Sequence, residues 1–539
     1  MALGTAFDGA IEGGRAGAVA DREFLGVTPL AVVALVAGSL AVRAVAVKLR
    51  LPPPLALLAV GLAVSLAPGL PDFQLEPEFV LAFVLPPLVY SAALDSSYVN
   101  IRSMLRPVAL FAVGPVLATM AAVGVAAHLL LPQFPLASAL VLGAVVAPTD
   151  AVAAIAIGRR LNVPRRAMVL LAGESLGNDA AALTLWKLAL AVATGAAMTW
   201  WQGILAFLYA AVVGGLIGAA IGFAVHHVRL RIGDGVLESA IGVATPFACY
   251  ALADQVEASG ILAVAVAGVL MGHKAPYGRH TTRLQENAVW RSVDVLLESV
   301  VFGVIGLQLP AIVGAAGPSW RLVGVSAALV AVTVAVRVVW VYPVAYLPAL
   351  LTRRRDPPDP KATTVVAWAG MRGVVSLAVA FATPPSMPGR DLVLFVTFAI
   401  TVGTLLLHGS TLALVIRLLK VPTHEERADA DDEARVRHEA VAAAGEELDR
   451  RVSDSDEPTP DQVVELLRSL AEHHQGTAQE WIEEQDGGRA EAFQRLLATM
   501  LDVERRVVVA ARDAGEIDDE VLRRMLRELD LRQASVDTP

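Results

Sequence analysis

Runs of about 20 apolar residues recur from Val27 to Leu419 and then stop, and nothing else in the 539-residue chain restricts its fold so severely. One such run crosses about 30 Å of hydrocarbon as a helix. In lipid every backbone N–H and C=O has to be satisfied within the segment or by close protein neighbours. The expected class is therefore an all-α polytopic membrane protein. Charged residues make up only 18% of the chain, against about 25% in soluble domains. Thirteen spans are predicted, at about 27–48, 53–68, 77–95, 107–131, 136–157, 165–194, 201–228, 237–254, 258–272, 292–313, 319–349, 361–383 and 391–419.

Charge divides the chain at the last span. Residues 421–539 hold 31 Asp+Glu against 15 Arg and no Lys, which leaves residues 1–420 with a net charge of +7. Four units are expected: an extracytoplasmic segment 1–26, a transmembrane domain 27–420, an acidic linker 421–457 and a helical cytoplasmic domain 458–539. Residues 1–24 mix both charge signs and lack the basic start and short apolar core of a signal peptide. The single Cys249 excludes an intrachain disulfide and a cysteine metal site.

Lys and Arg gather in alternate loops, among them Arg43, Lys48, Arg102, Arg106, Arg159, Arg160, Arg229, Arg231, Arg279, Arg283 and Arg353 to Arg355. The positive-inside rule then puts the amino terminus outside and the carboxy terminus in the cytoplasm of a cell membrane. An odd number of spans is required by that orientation. Thirteen also divides as six, one and six, so an inverted repeat would pair span five with span twelve.

Both of those spans are interrupted, by Pro148-Thr149-Asp150 and by Gly370-Met371-Arg372-Gly373. Matching broken segments mark a transporter's binding site, because unwound backbone and half-helix ends can coordinate an ion. Pro and Gly are also common in spanning helices generally. The carboxylates are harder to dismiss, since a charge at mid-span costs about 2.5 to 3.5 kcal/mol on insertion scales. On span six, Ser175 and Asp179 share one face and Glu174 and Asn178 the next column. With Asp150 and the Thr149 carbonyl opposite, these oxygens suit a hard monovalent cation. Desolvation and a like-charged neighbour disfavour the ionised form of a buried carboxylate, so one site can trade a proton for a cation. Arg372 needs a partner, for which Glu174, Asp150 and Asp179 are all candidates.

Together with Val374-Val375-Ser376-Leu377-Ala378 after Gly373, these motifs resemble the electroneutral sodium/proton exchanger branch of the monovalent cation:proton antiporter superfamily, bacterial form. The resemblance covers roughly residues 27–420. It implies thirteen helices with crossed discontinuous spans five and twelve, a homodimer, and exchange of one cation for one proton by a small movement of a transport domain. It also implies that Asp179 carries cation and proton, with Asp150, Ser175 and the Thr149 carbonyl as co-ligands of Na+. Glu174 and Arg372 resemble the family's buried ion pair, and Asn178 helps to order the site. An Asn before Asp179 is the mark of electroneutral exchange. Two departures stand out: Ser91 follows Leu85-Pro86-Pro87-Leu88-Val89-Tyr90 where some archaeal relatives have Glu, and Gly177 replaces a larger apolar residue. Glu298 resembles a position that matters for transport, or pairs structurally with Arg337.

The expected activity is thus export of Na+ or Li+ against inward H+, for sodium and pH homeostasis, with no cofactor, no nucleic acid and no enzymatic step. K+ remains an alternative ion. An intramembrane aspartyl protease also needs two buried Asp residues, but its Gly-x-Gly-Asp pattern is not matched by Gly177-Asn178-Asp179. An ion sensor with the tail as output is the third possibility.

Overall fold

The computed structural model describes residues 29–49, 51–67, 77–103, 105–150, 154–155, 157–158, 161, 163–317, 319–352, 359–420, 425–454, 463–465, 467–468 and 487–537. The expected amino-terminal segment lies outside them. Every regular element among the described residues is helical. In chain order the main helices are α1 (Pro29–Lys48), α2 (Pro53–Ser65), α3 (Leu85–Leu94), α4 (Tyr98–Ser103), α5 (Leu105–Leu130), α6 (Leu136–Val146), α7 (Arg165–Ala193), α8 (Trp200–Ile232), α9 (Gly235–Gln255), α10 (Gly260–Lys274), α11 (His280–Ala316), α12 (Trp320–Thr352), α13 (Pro360–Trp368), α14 (Val374–Phe381), α15 (Arg390–Leu419), α16 (Glu425–Ser453), α17 (Gly487–Asp513) and α18 (Asp519–Asp537).

Eight of the described helices are long and apolar enough to cross a membrane alone, and α2, α6 and the stretch Val80–Leu94 are shorter apolar helices. Local chemistry sets several ends. Asp234, Ser259 and Asp359 each accept a backbone N–H at the start of the helix that follows, and Thr199 forms a reciprocal capping box with Gln202 at the start of α8.

The spans pack as two groups. In the first, α11 lies on α1, α2 and α9, while α10 lies on α3, α8 and α9. In the second, α5 lies on α6, α7 and α12, while α15 lies on α6, α12 and α14. Contact between the groups runs mainly through α7 with α10 and α11 with α15. Small residues allow backbones to touch within the first group. A side chain at Gly61 would run into the backbone of Gly303 and Gly306 on α11, the close approach on which helix association in lipid depends.

The acidic stretch after the last span is not a separate linker. Glu425–Ser453 is one helix, and its Val436, Ala440, Ala444 and Leu448 are buried in a core with Phe493, Met500, Leu501, Leu522 and Leu526. The apolar residues return every four positions, one per turn, among charges that pair locally or across the unit. Arg437, for example, lies between Glu433 at 3.1 Å and Glu528 at 2.6 Å.

Candidate cation and proton site

The two interrupted spans meet at their breaks. α6 ends at Val146 and α13 at Trp368, each followed by backbone outside any regular element, and Asp150 N–H donates to the Met371 carbonyl at 2.8 Å. Backbone groups that a continuous helix would have satisfied internally are here tied across the crossing. Arg372 serves the carbonyls left over: Nε donates to Val146 O and Nη1 to Gly370 O, both at 2.8 Å, while its own N–H donates to Thr404 Oγ1 at 3.2 Å. A guanidinium at the carbonyl end of α6 also opposes the negative end of that helix dipole.

Arg372 therefore is not the partner of Glu174. That partner is Arg337 on α12, which grips Glu174 in bidentate fashion, with Nη1 on Oε1 and Nη2 on Oε2 at 3.1 Å, and donates also to Val366 O at 3.0 Å. The reason is geometric. The backbone carbonyls at the crossing take the Arg372 fork, and Gly370 leaves room for the Arg337 stem, since a side chain there would strike Arg337 Cδ. Thr149 Oγ1 donates to Glu174 Oε1 at 3.1 Å, and Asn178 Nδ2 donates to Thr149 Oγ1 at 2.7 Å and Thr149 O at 3.3 Å.

Polar residues on α7 thus sort into two columns. Glu174 and Asn178, each 1% exposed, are sealed with Thr149 and Arg337 in one hydrogen-bonded network. Ser175 and Asp179 keep accessible surface, as does Asp150. Asp179 makes no hydrogen bond or ion pair among the described residues, and Asp150 is its charged neighbour. The buried Asn178 Oδ1 has no hydrogen-bond partner among the described residues either. Thr149 thus joins the columns through its backbone position, one residue before Asp150.

Asp150 lies against the start of α14, whose amino-terminal flank is Gly373. The positive end of a helix faces a carboxylate there, the usual arrangement for an anion. A Cβ at Gly373 would overlap the Asp150 carboxyl group. We expect Gly373→Ala to displace that carboxylate and weaken the apparent cation affinity about tenfold, given the sensitivity of positioned groups to shifts of about 1 Å. The cation concentration dependence of transport measures this, and an unchanged half-saturation would disprove it. Gly177 contacts α5, where a Cβ would come within 2.5 Å of Ala112 Cβ.

The other intramembrane polar residues are placed elsewhere. Glu298 pairs with Arg43 on α1, not with Arg337. Ser91 Oγ donates to Asp294 Oδ2 at 2.5 Å, so a carboxylate does stand beside this position, supplied by α11. Lys187 pairs with Asp254 at 2.9 Å on an exposed surface. Asp294 and Thr404 escaped the sequence reading, because neither interrupts a span or repeats a pattern.

A membrane bundle with two crossed broken helices and a carboxylate pair at the crossing defines a secondary ion transporter, with no enzymatic centre required. The profile described as "Sodium/hydrogen exchanger, transmembrane" matches residues 31–418, and the chain belongs to that family. It is 32% identical over 527 residues to an uncharacterized Na(+)/H(+) exchanger of Mycobacterium tuberculosis, covering 94% of this chain and 96% of the relative. It is 30% identical to the Na(+)/H(+) antiporter NhaH of Halobacillus dabanensis, covering 71% and 96%, and 28% identical to the sodium, potassium, lithium and rubidium/H(+) antiporter of Bacillus subtilis, covering 68% and 58%. The solved sodium proton antiporter MjNhaP1 of Methanocaldococcus jannaschii shares the fold, with a TM-score of 0.58 at 14% identity over 72% of this chain and 99% of that one. The protein is a multi-pass membrane cation/proton exchanger.

Proposed function

We propose that the protein exchanges cytoplasmic Na+, or Li+, for external H+ in a one-for-one electroneutral cycle, with cation and proton competing for Asp179. The observation that carries this reading is the division of α7 into two columns. The Glu174 charge is neutralised by Arg337 and sealed, whereas Asp179 keeps accessible surface and has no internal partner among the described residues. Asp150, Ser175 and the Thr149 carbonyl complete the cation's oxygen shell. Asn178 cannot take up a proton, so a single carboxylate changes its load in each cycle. Alternating access exposes the site to each side in turn and needs no covalent step. As a homodimer in the cell membrane, with its amino terminus outside and its tail in the cytoplasm, such an exchanger serves sodium and pH homeostasis.

Potassium is the second reading for the ion, favoured by the B. subtilis relative, whose name includes potassium and rubidium. Cation-driven proton flux in proteoliposomes, with membrane potential clamped and Na+, Li+ and K+ tested separately, decides the matter. The expected result is flux with Na+ and Li+ that ignores the imposed potential. Flux that follows the potential would rule out one-for-one exchange. A response to K+ equal to that with Na+ would replace the sodium assignment with a broad one.

A further inference from the structure

The carboxy-terminal unit, α16 to α18, is fastened at two places, and these belong to different groups of spans. The first fastening is covalent. α15 packs on α6, α12 and α14 in the second group, its end is held by Lys361 Nζ donating to the Lys420 carbonyl at 3.2 Å, and α16 begins at Glu425. The helix α16 is itself buried against α17 and ion-paired to α18 through Arg437–Glu528 and Arg524–Glu433, and only residues 421–424 stand between Lys420 and its start.

The second fastening is a set of polar contacts onto the first group. Arg283 on α11 holds Asp530 in bidentate fashion, with Nε on Oδ2 at 2.8 Å and Nη2 on Oδ1, and only 9% and 3% of these side chains are exposed. The same guanidinium donates to the carbonyls of Ala275, Pro276 and Gly278 in the turn between α10 and α11. Arg505 of α17 reaches Asp530 at 3.4 Å. Tyr277 Oη donates to Asp513 at 2.8 Å, and Ser97, between α3 and α4, donates to Asp519, which Arg512 also holds at 3.1 Å. A buried ion pair of this kind resists separation, because either partner alone is left charged out of water.

We propose that the docked tail is a brace across the two groups of helices, and that it restrains the relative movement on which turnover depends. The proposal rests on the alternating-access reading given above. Movement of the second group carries α15 with it; the tail cannot follow while Asp530 stays in the Arg283 fork. Undocking relieves the restraint without touching the ion site, so it changes maximal rate and leaves half-saturation alone.

The test uses the full chain in proteoliposomes. Asp530→Asn weakens the lock directly. A second protein, Ser97→Cys with Asp519→Cys in a Cys249→Ala background, allows a short bis-methanethiosulfonate, which forms a disulfide with each thiol by displacing methanesulfinate, to fix the docked tail reducibly. Amide hydrogen exchange over 519–537 reports docking. Asp530→Asn is expected to speed that exchange and raise maximal flux about fivefold, the lower end of ordinary coupling between sites, with half-saturation unchanged. Cross-linking is expected to suppress flux and reduction to restore it. An undocked Asp530→Asn tail with unchanged or lower maximal flux overturns the proposal, as does a cross-linked protein that transports as fast as its reduced form. Absence of flux with any cation in the wild type would instead fail the exchange reading itself, and this proposal with it.

Discussion

Asp179→Asn is expected to reduce cation-driven proton flux to the level of protein-free liposomes while leaving the protein folded. Asn keeps the shape of the side chain and can still ligate through its carbonyl oxygen, but it carries no charge and exchanges no proton. Folding should survive because Asp179 contributes no hydrogen bond or ion pair to the described structure. A normal elution profile and melting curve, combined with lost flux, would assign the exchanged proton to this carboxylate. Undiminished flux in a well-folded Asp179→Asn protein would eliminate it as the carrier.

Arg337→Leu is expected to have the largest effect on stability. It strands the Glu174 carboxylate, which is 1% exposed and then retains only the Thr149 hydroxyl among its described partners. Breaking a buried pair from one side costs about 3–5 kcal/mol, whereas removing both charges is often close to neutral. The melting temperature of the purified protein should therefore fall by several degrees in Arg337→Leu and recover by at least half in Arg337→Leu with Glu174→Gln. Thermal unfolding in detergent measures both. If Arg337→Leu melts like the wild type while Arg372→Leu collapses and is rescued by Glu174→Gln, the pairing described here is wrong.

The contrast between these two arginines indicates what a sequence can disclose about such a site. Pro148-Thr149-Asp150 and Gly370 to Gly373 were legible because they break hydropathy and helix continuity where both are costly, and the structure brings them together through Asp150 and Met371. The columns on α7 were legible too, since helical periodicity alone puts Glu174 beside Asn178 and Ser175 beside Asp179. The partner of Glu174 was not. Arg337 and Arg372 are both buried, and only the local competition for the guanidinium by the Val146 and Gly370 carbonyls separates them. Backbone carbonyls carry no mark in a sequence. The acidic helix α16 was hidden for the opposite reason: its one-per-turn stripe of Val436, Ala440, Ala444 and Leu448 is half alanine and lies in a dense field of charge, and composition outweighed period.

The pairing of Glu174 with Arg337 also bears on how the protein is made. The two residues are 163 positions apart in the chain, so at about 5–20 residues per second of synthesis the carboxylate is in place roughly 8 to 30 s before its counter-charge exists. During that interval α7 is an incomplete helix for the membrane, carrying an acid that only Thr149 and neighbouring polar groups can quiet. α12, in turn, brings an arginine whose own insertion is unfavourable until it finds Glu174. α7, which is not among the helices apolar enough to cross a membrane alone, is thus a poor independent guest in the bilayer and a better one in the company of α12. Biogenesis must keep the first available to the second, which makes assembly of the ion site and completion of membrane insertion one event.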